Sequence, residues 1–280
     1  MRWAPQELLY ELSQDAERRV LFVEGMRDLA FWRELVPSST RPNGVIYPIS
    51  FLECPNVEGG NRGRLLATAS AFAATAGAGR VRFFADADAD RVLQNEVPPN
   101  VFLTDGRDLE SYGLSESCID RICTIGFPSS DHRGKALLSA VTAVVRPVGI
   151  LRIGTRKTGL NLPFRQSMEL KGFGRFISDG ENQPTLDIEY LIRVLIQNAG
   201  LSMTLCKKVS DMQREAEAAY VTTPDEQLVH GKDLLMFLAW WFKVDASQIE
   251  RLFFLSLANE GSKIVDRPSI LATRQWLFGR

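Results

Sequence analysis

Along the first 110 residues the apolar positions fall into short runs separated by helical stripes. Residues 19–25, RVLFVEG, form an apolar run closed by Glu24 and Gly25, the pattern of a buried parallel strand ending in a turn. In MRDLAFWREL the apolar residues Leu29, Trp32 and Leu35 recur at helical spacing. GVIYPIS predicts a second strand, which Pro48 weakens or places near a sheet edge. CPNVEGGNRG predicts a loop, and RLLATASAFAATAG an alanine-rich helix stopped by glycine. RVRFFADAD is a third strand and NVFLTD a fourth, after the breaker Pro98-Pro99. Strands alternating with helices predict an α/β fold with a parallel sheet.

Beyond about residue 115 the pattern changes. RGKALLSAVTAVVRPVG predicts a helix ending near Pro147, and GILRIG a short strand. RKTGLNLPFRQSMELKGFGRFISDG is irregular and basic. From Thr185 onward LDIEYLIRVLIQNAG, PDEQLVHGKDLLMFLAWWF and SQIERLFFLSLA predict helices. The expected organisation is a core over residues 1–115 and a mainly helical region over 116–280 packed on it, with a basic loop near 152–175.

Composition narrows the function classes. The chain has 280 residues, 45% hydrophobic and 24% charged, enough for one large core or two smaller ones. A net charge of -1 means that any phosphate-binding surface is a local patch. Cys54, Cys118, Cys123 and Cys206 show no CxxC pairing and no histidine at zinc spacing, so buried thiols in a reducing cytosol are expected. No signal peptide or membrane span is evident, and LLMFLAWWF has about half the length of a span. A soluble cytoplasmic protein is expected. With only His132 and His230 available, histidine-based nuclease chemistry is not. No P-loop motif occurs, so ATP dependence would require a second polypeptide.

The acidic residues change the picture most. VRFFADADAD carries Asp86, Asp88 and Asp90 directly behind an apolar run. Glu24 closes the first strand, Asp86 and Asp88 the third, while Asp108 and Glu110 follow the fourth. Open parallel sheets bind ligands beyond the carboxyl ends of their strands. In an extended segment residues i and i+2 face the same way, so Asp86 and Asp88 are expected to converge with Ala87 turned away. Crowded carboxylates suit Mg²⁺ or Mn²⁺. A D-x-D pair by itself is equally a solvated acidic turn.

LFVEGMRDLAFW followed by FFADAD resembles the Toprim domain of topoisomerases, primases and OLD-type nucleases, over about residues 18–115. The resemblance implies an acid/base glutamate at Glu24 and a metal-binding pair at Asp86 and Asp88. LTDGRDLESYGL resembles a segment of OLD-like Toprim proteins, which implies that Asp108 and Glu110, with Tyr112 after them, join the metal site. VHGKDLLMFL resembles a segment of the defence-associated group that accompanies ABC-type ATPases, the AriB-type effectors of PARIS anti-phage systems.

Together these imply a Mg²⁺- or Mn²⁺-dependent endonuclease, a toxic effector that cleaves RNA, tRNA in particular. An AriA-like ABC-type ATPase partner would hold it inactive, and the released protein would act as a homodimer. The implied catalytic residues are Glu24, Asp86, Asp88, Glu110 and Lys232, and the implied metal ligands Glu24, Asp86, Asp88, Asp108 and Glu110. Glu24 as ligand or as acid/base, one ion or two, and DNA as substrate all remain open. So does a non-catalytic Toprim-fold module of an ATPase sensor complex.

Other residues have two readings each. Lys232 and His230 would contact phosphate, or form an exposed cluster at a helix start. Asp233 would serve the site, cap the helix or pair with a cation. Asp28 would join the metal shell, or merely complement the helix dipole, and Asp90 would lie on the strand-exit loop. Arg156, Lys157, Arg165 and Lys171 would track nucleic-acid phosphates or form a basic surface loop. Trp240 and Trp241 are expected in the core.

Overall fold

A computed structural model of the chain describes residues 3–35, 44–53, 57–75, 78–128, 134–168, 172–178 and 183–278. In chain order the first elements are α1 (Pro5–Gln14), β1 (Arg19–Val23), α2 (Met26–Leu35), β2 (Gly44–Pro48), α3 (Gly60–Ala73) and β3 (Val81–Ala85). Then come α4 (Asp90–Leu93), β4 (Val101–Leu103), α5 (Glu116–Gly126), α6 (Gly134–Lys157), α7 (Phe164–Met168), β5 (Ile177–Ser178) and β6 (Thr185–Leu186). The remainder is helical: α8 (Ile188–Asn198), α9 (Leu205–Ala219), α10 (Asp225–Leu228), α11 (Gly231–Phe242), α12 (Ala246–Asn259), α13 (Gly261–Ile264) and α14 (Pro268–Phe278).

The chain divides into two compact units, neither continuous in sequence. The first comprises residues 1–87, 95–105 and 258–280, and the second residues 88–94 and 106–257. The sequence pattern places a single boundary near residue 115 instead.

The first unit is an α/β layer structure around a four-stranded sheet of order β2-β1-β3-β4, parallel throughout. The strands are short, and the two central ones, β1 and β3, are almost wholly buried, as expected where helices cover both faces. On one face Val20, Phe22, Val81 and Phe83 pack with Leu8 and Leu12 of α1 and Leu65, Ala69 and Phe72 of α3. Trp32 of α2 meets Phe84 edge-on at 5.0 Å. β2, which contains Pro48, is an edge strand, where a missing N–H is tolerated. Helix α3 starts at Gly60, inside the stretch whose composition predicts a loop. Gly59 precedes it at φ 92°, and a Cβ on Gly63 would lie 2.0 Å from the Glu58 carbonyl oxygen.

β1 connects to β2 on one side and the chain then crosses to β3 on the other side of β1. The carboxyl ends of β1 and β3 therefore form the topological switch point of the sheet. Such crevices are where open α/β sheets bind ligands.

The second unit is built around α6, which packs against α5, α9, α10 and α11. Here the structure corrects the sequence reading. α6 runs unbroken from Gly134 to Lys157 through Pro147, so no helix ends there, and GILRIG is helical rather than a strand. The helical stripe Leu137, Val141, Val144, Val148 and Leu151 is buried along its whole length, which offsets the roughly 3 kcal/mol cost of an interior proline. The Pro147 carbonyl also accepts a hydrogen bond from Gln213 Nε2 at 3.0 Å. Gly149 is where another backbone comes close: an added Cβ would sit 1.9 Å from the Leu228 carbonyl oxygen. By length and composition α6 is also apolar enough to cross a membrane, and 56% of that stretch is buried within the protein. Cys118 and Cys123 are buried thiols and Cys206 is half-buried, while Cys54 and His132 lie outside the described residues.

Candidate functional site

In the first unit, Glu24 and Asp86 each follow the last residue of a strand, β1 and β3, at the switch point. The Asp86 backbone N–H donates to Glu24 Oε1 at 3.1 Å, which draws the two residues together. Arg62, from the first turn of α3, donates from Nε to the Asp86 carbonyl at 3.2 Å and lies 3.9 Å from Glu24 Oε1. Its positive charge offsets the carboxylate beside it. Glu24 keeps partial access to solvent. Asp28 closes the β1–α2 turn, its Oδ2 accepting the Gly25 N–H at 2.9 Å.

The backbone turns after Asp86. Asp88 has φ 50°, in the left-handed region, so the segment is not extended through it and the alternation argument for Asp86 and Asp88 does not hold. Within the second unit the Asp88 N–H donates to the Arg107 carbonyl at 2.6 Å, and Asp88 Oδ2 lies 3.6 Å from Arg156. Asp90, buried in the first turn of α4, lies 3.4 Å from the same guanidinium.

Asp108 is a buried capping group. Its Oδ1 accepts the Ser111 N–H at 3.0 Å and its Oδ2 the Gly231 N–H at 2.7 Å, tying the turn at residues 109–113 to the start of α11. Burial, followed by the charge of Glu110, raises its pKa to about 8. A Cβ on Gly231 would lie 2.4 Å from Glu110 Cβ and 2.9 Å from Asp108 Oδ1, so only glycine lets α11 begin this close. Tyr112 is buried in the same turn.

On α11, Asp233 is fully buried and takes a bidentate pair from Arg152, with Nε and Nη2 each 2.8 Å from a carboxylate oxygen. Burial pushes the Asp233 pKa up, but the Arg152 charge and the other cations outweigh it and hold the carboxyl below its ordinary value. Asp233 thus takes the ion-pair role among its three readings. Lys232 is exposed, and His230 sits at the helix start with Nδ1 3.8 Å from Asp233. Arg156 and Lys157 close α6 and Arg165 lies on α7, so these three belong to helices rather than to an irregular loop. Lys171 lies outside the described residues. Phe237 packs 5.5 Å from Trp240 and 5.7 Å from Trp241.

Three arginines of these clusters escape sequence reasoning. Arg62 lies in the first turn of α3, inside a stretch whose composition predicts a loop. Arg107 and Arg152 are 45 residues apart, and Arg152 lies in GILRIG, a stretch that reads as a strand.

No protein-family model and no curated protein matches the chain. Among the described residues no group of three or more His, Cys, Asp or Glu is gathered as a metal site. Magnesium is commonly held by one or two carboxylates, with water and substrate phosphate completing its shell. Glu24 and Asp86 meet that requirement in the chemistry of their oxygen donors.

His230 provides a check on the electrostatics of the second unit. Burial, and then the charges of Arg107, Arg152 and Lys232 against the favourable Asp233, lower its pKa to about 3 from an ordinary 6.5. A depressed folded-state pKa contributes stability above pH 6.5 that is lost as pH falls toward 3. His230→Gln should flatten the decline in melting temperature across that window. In proton NMR the His230 ring signal should not titrate between pH 5 and 8, and a midpoint near 6.5 would contradict this environment.

Proposed function

We propose that this chain is a Mg²⁺- or Mn²⁺-dependent phosphodiesterase of the OLD-like Toprim type, acting as the nuclease effector of an anti-phage system. The observation supporting this is the pairing of Glu24 and Asp86 at the carboxyl ends of β1 and β3, at the switch point of a parallel sheet. Bound there, a divalent ion supplies charge neutralisation at a phosphoryl oxygen and a water of lowered pKa. Asp86 orients Glu24 through its backbone N–H, so one carboxylate oxygen has a fixed direction. Arg62 steadies the Asp86 backbone and adds positive charge where a phosphodiester approaches. Glu24 serves as metal ligand or as acid/base. The roles the resemblance assigns to Asp88, Asp108, Glu110 and Lys232 fall to residues of the second unit.

RNA, and tRNA in particular, is the proposed substrate, with an AriA-like ABC-type ATPase holding the protein inactive and homodimerisation following release. The test is thermal. Saturating Mg²⁺ or Mn²⁺ should raise the melting temperature, because an ion that binds only the folded state stabilises it by mass action. Asp86→Asn should lose most of that increase while the metal-free protein stays folded. A metal-induced rise of equal size in wild type and variant would remove Asp86 from the site.

A further inference from the structure

The second unit contains a cleft of about 470 Å³ into which Arg107, Arg152 and Arg156 all face. We infer that this cleft is a binding site for a phosphoryl group. Its cations are placed by contacts that leave donors unused. Arg152 is fixed by its bidentate pair with Asp233 and lies 4.3 Å above the Phe164 ring, which engages two of its five N–H donors. Arg107 is 5% exposed. Its Nη1 donates to the carbonyls of Leu228 at 2.7 Å and Gly149 at 3.2 Å, yet its buried Nε has no hydrogen-bond partner among the described residues. An unmet donor on a buried cation is costly, and a bound oxyanion relieves that cost.

Arg156 stands at the mouth, 45% exposed, in long ion pairs of 3.6 Å with Asp88 and 3.4 Å with Asp90. Contacts of that length at a half-exposed guanidinium are weak, so Arg156 is available to turn onto an incoming anion. Asp88 also lines the cleft, and a ligand oxygen would replace it as the Arg156 partner. His230 contributes an imidazole whose buried Nδ1 has no hydrogen-bond partner among the described residues. Burial and the neighbouring cations keep that ring neutral, able to donate or accept.

Several guanidinium groups around one cavity suit a tetrahedral anion, which offers three or more oxygens where a carboxylate offers two. The volume exceeds what a lone phosphate fills and leaves room for an attached sugar. This reading does not depend on metal or on Glu24, so it stands or falls apart from the nuclease proposal.

The experiment uses the full chain in EDTA, comparing sodium phosphate with sodium chloride at matched ionic strength. Phosphate should raise the melting temperature above chloride, and Arg156→Gln should weaken phosphate binding about tenfold, the loss of one charge-assisted contact. Asn161→Glu places a negative charge on an exposed residue of the same cleft and should weaken binding as well. Competition with a 5′-phosphorylated trinucleotide and its unphosphorylated counterpart identifies the source. Displacement of phosphate by both points to an internucleotide phosphodiester, by the first alone to a terminal phosphate, and by neither to the free anion. Phosphate that stabilises no more than chloride, or binding unchanged in both variants, overturns the assignment.

Discussion

Replacing Glu24 with glutamine should abolish metal-dependent cleavage of RNA or DNA, and cellular toxicity with it, while the protein stays folded. The substitution is nearly isosteric. The glutamine carbonyl oxygen can still accept the Asp86 N–H that Glu24 Oε1 accepts at 3.1 Å, so the connection between the ends of β1 and β3 survives. What disappears is the negative charge and the capacity to take a proton. A positioned acid/base typically contributes 10²- to 10⁴-fold, so cleavage should fall by about that factor or more. Arg62, 3.9 Å away, would lose an ionic partner at a partly exposed position, with only a small effect on melting. The measurement is Mg²⁺-dependent cleavage of labelled tRNA and single-stranded DNA, alongside a melting curve. Wild-type rates from a folded Glu24→Gln protein would favour the binding-module reading over catalysis.

The second large effect concerns stability. Asp233→Ala should cost about 3–5 kcal/mol, because it leaves Arg152 without the carboxylate that fixes it. Asp233 is fully buried, so water cannot substitute for the lost partner. Replacing both members at once, Arg152→Met with Asp233→Leu, should recover much of the loss, since a hydrophobic pair of similar volume is often neutral or better than a buried ion pair. Urea denaturation of the two variants and wild type checks this. A single variant within about 0.5 kcal/mol of wild type would show that the pair contributes little. Asp233 keeps its charge at neutral pH, so the contribution of the pair should fade only as pH falls through its lowered pKa.

The sheet was legible because its signal is local. A buried parallel strand has to be apolar on both faces, and β1 and β3 show this directly in Val20–Val23 and Phe83–Ala85. The edge position of Pro48 follows from its missing N–H. α6 was misread because a local rule about proline competed with burial of a 24-residue stripe, and burial depends on partners remote in sequence such as Gln213. For the same reason the carboxylates were visible but their settings were not. Asp108 reads as one more acid after a strand, yet one of the two N–H groups it holds belongs to Gly231, 123 residues away. Alternation in FADAD failed at Asp88, where a positive φ that the residue type does not require reverses the backbone.

Helix α14 packs on β1, β2 and β4, strands that precede it by a long stretch of chain. Arg19 donates to the Trp276 carbonyl, Trp276 Nε1 donates to the Gly79 carbonyl at 3.2 Å, and Leu277 and Phe278 lie against Gly44. Translation at about 5–20 residues per second separates β1 from α14 by roughly ten to fifty seconds. During that interval the sheet lacks one of its covering layers, and Glu24 and Asp86 reside on an incomplete scaffold. The layer that α14 adds over β1, β2 and β4 is therefore in place only once synthesis has passed residue 278, long after the strands it covers have been made.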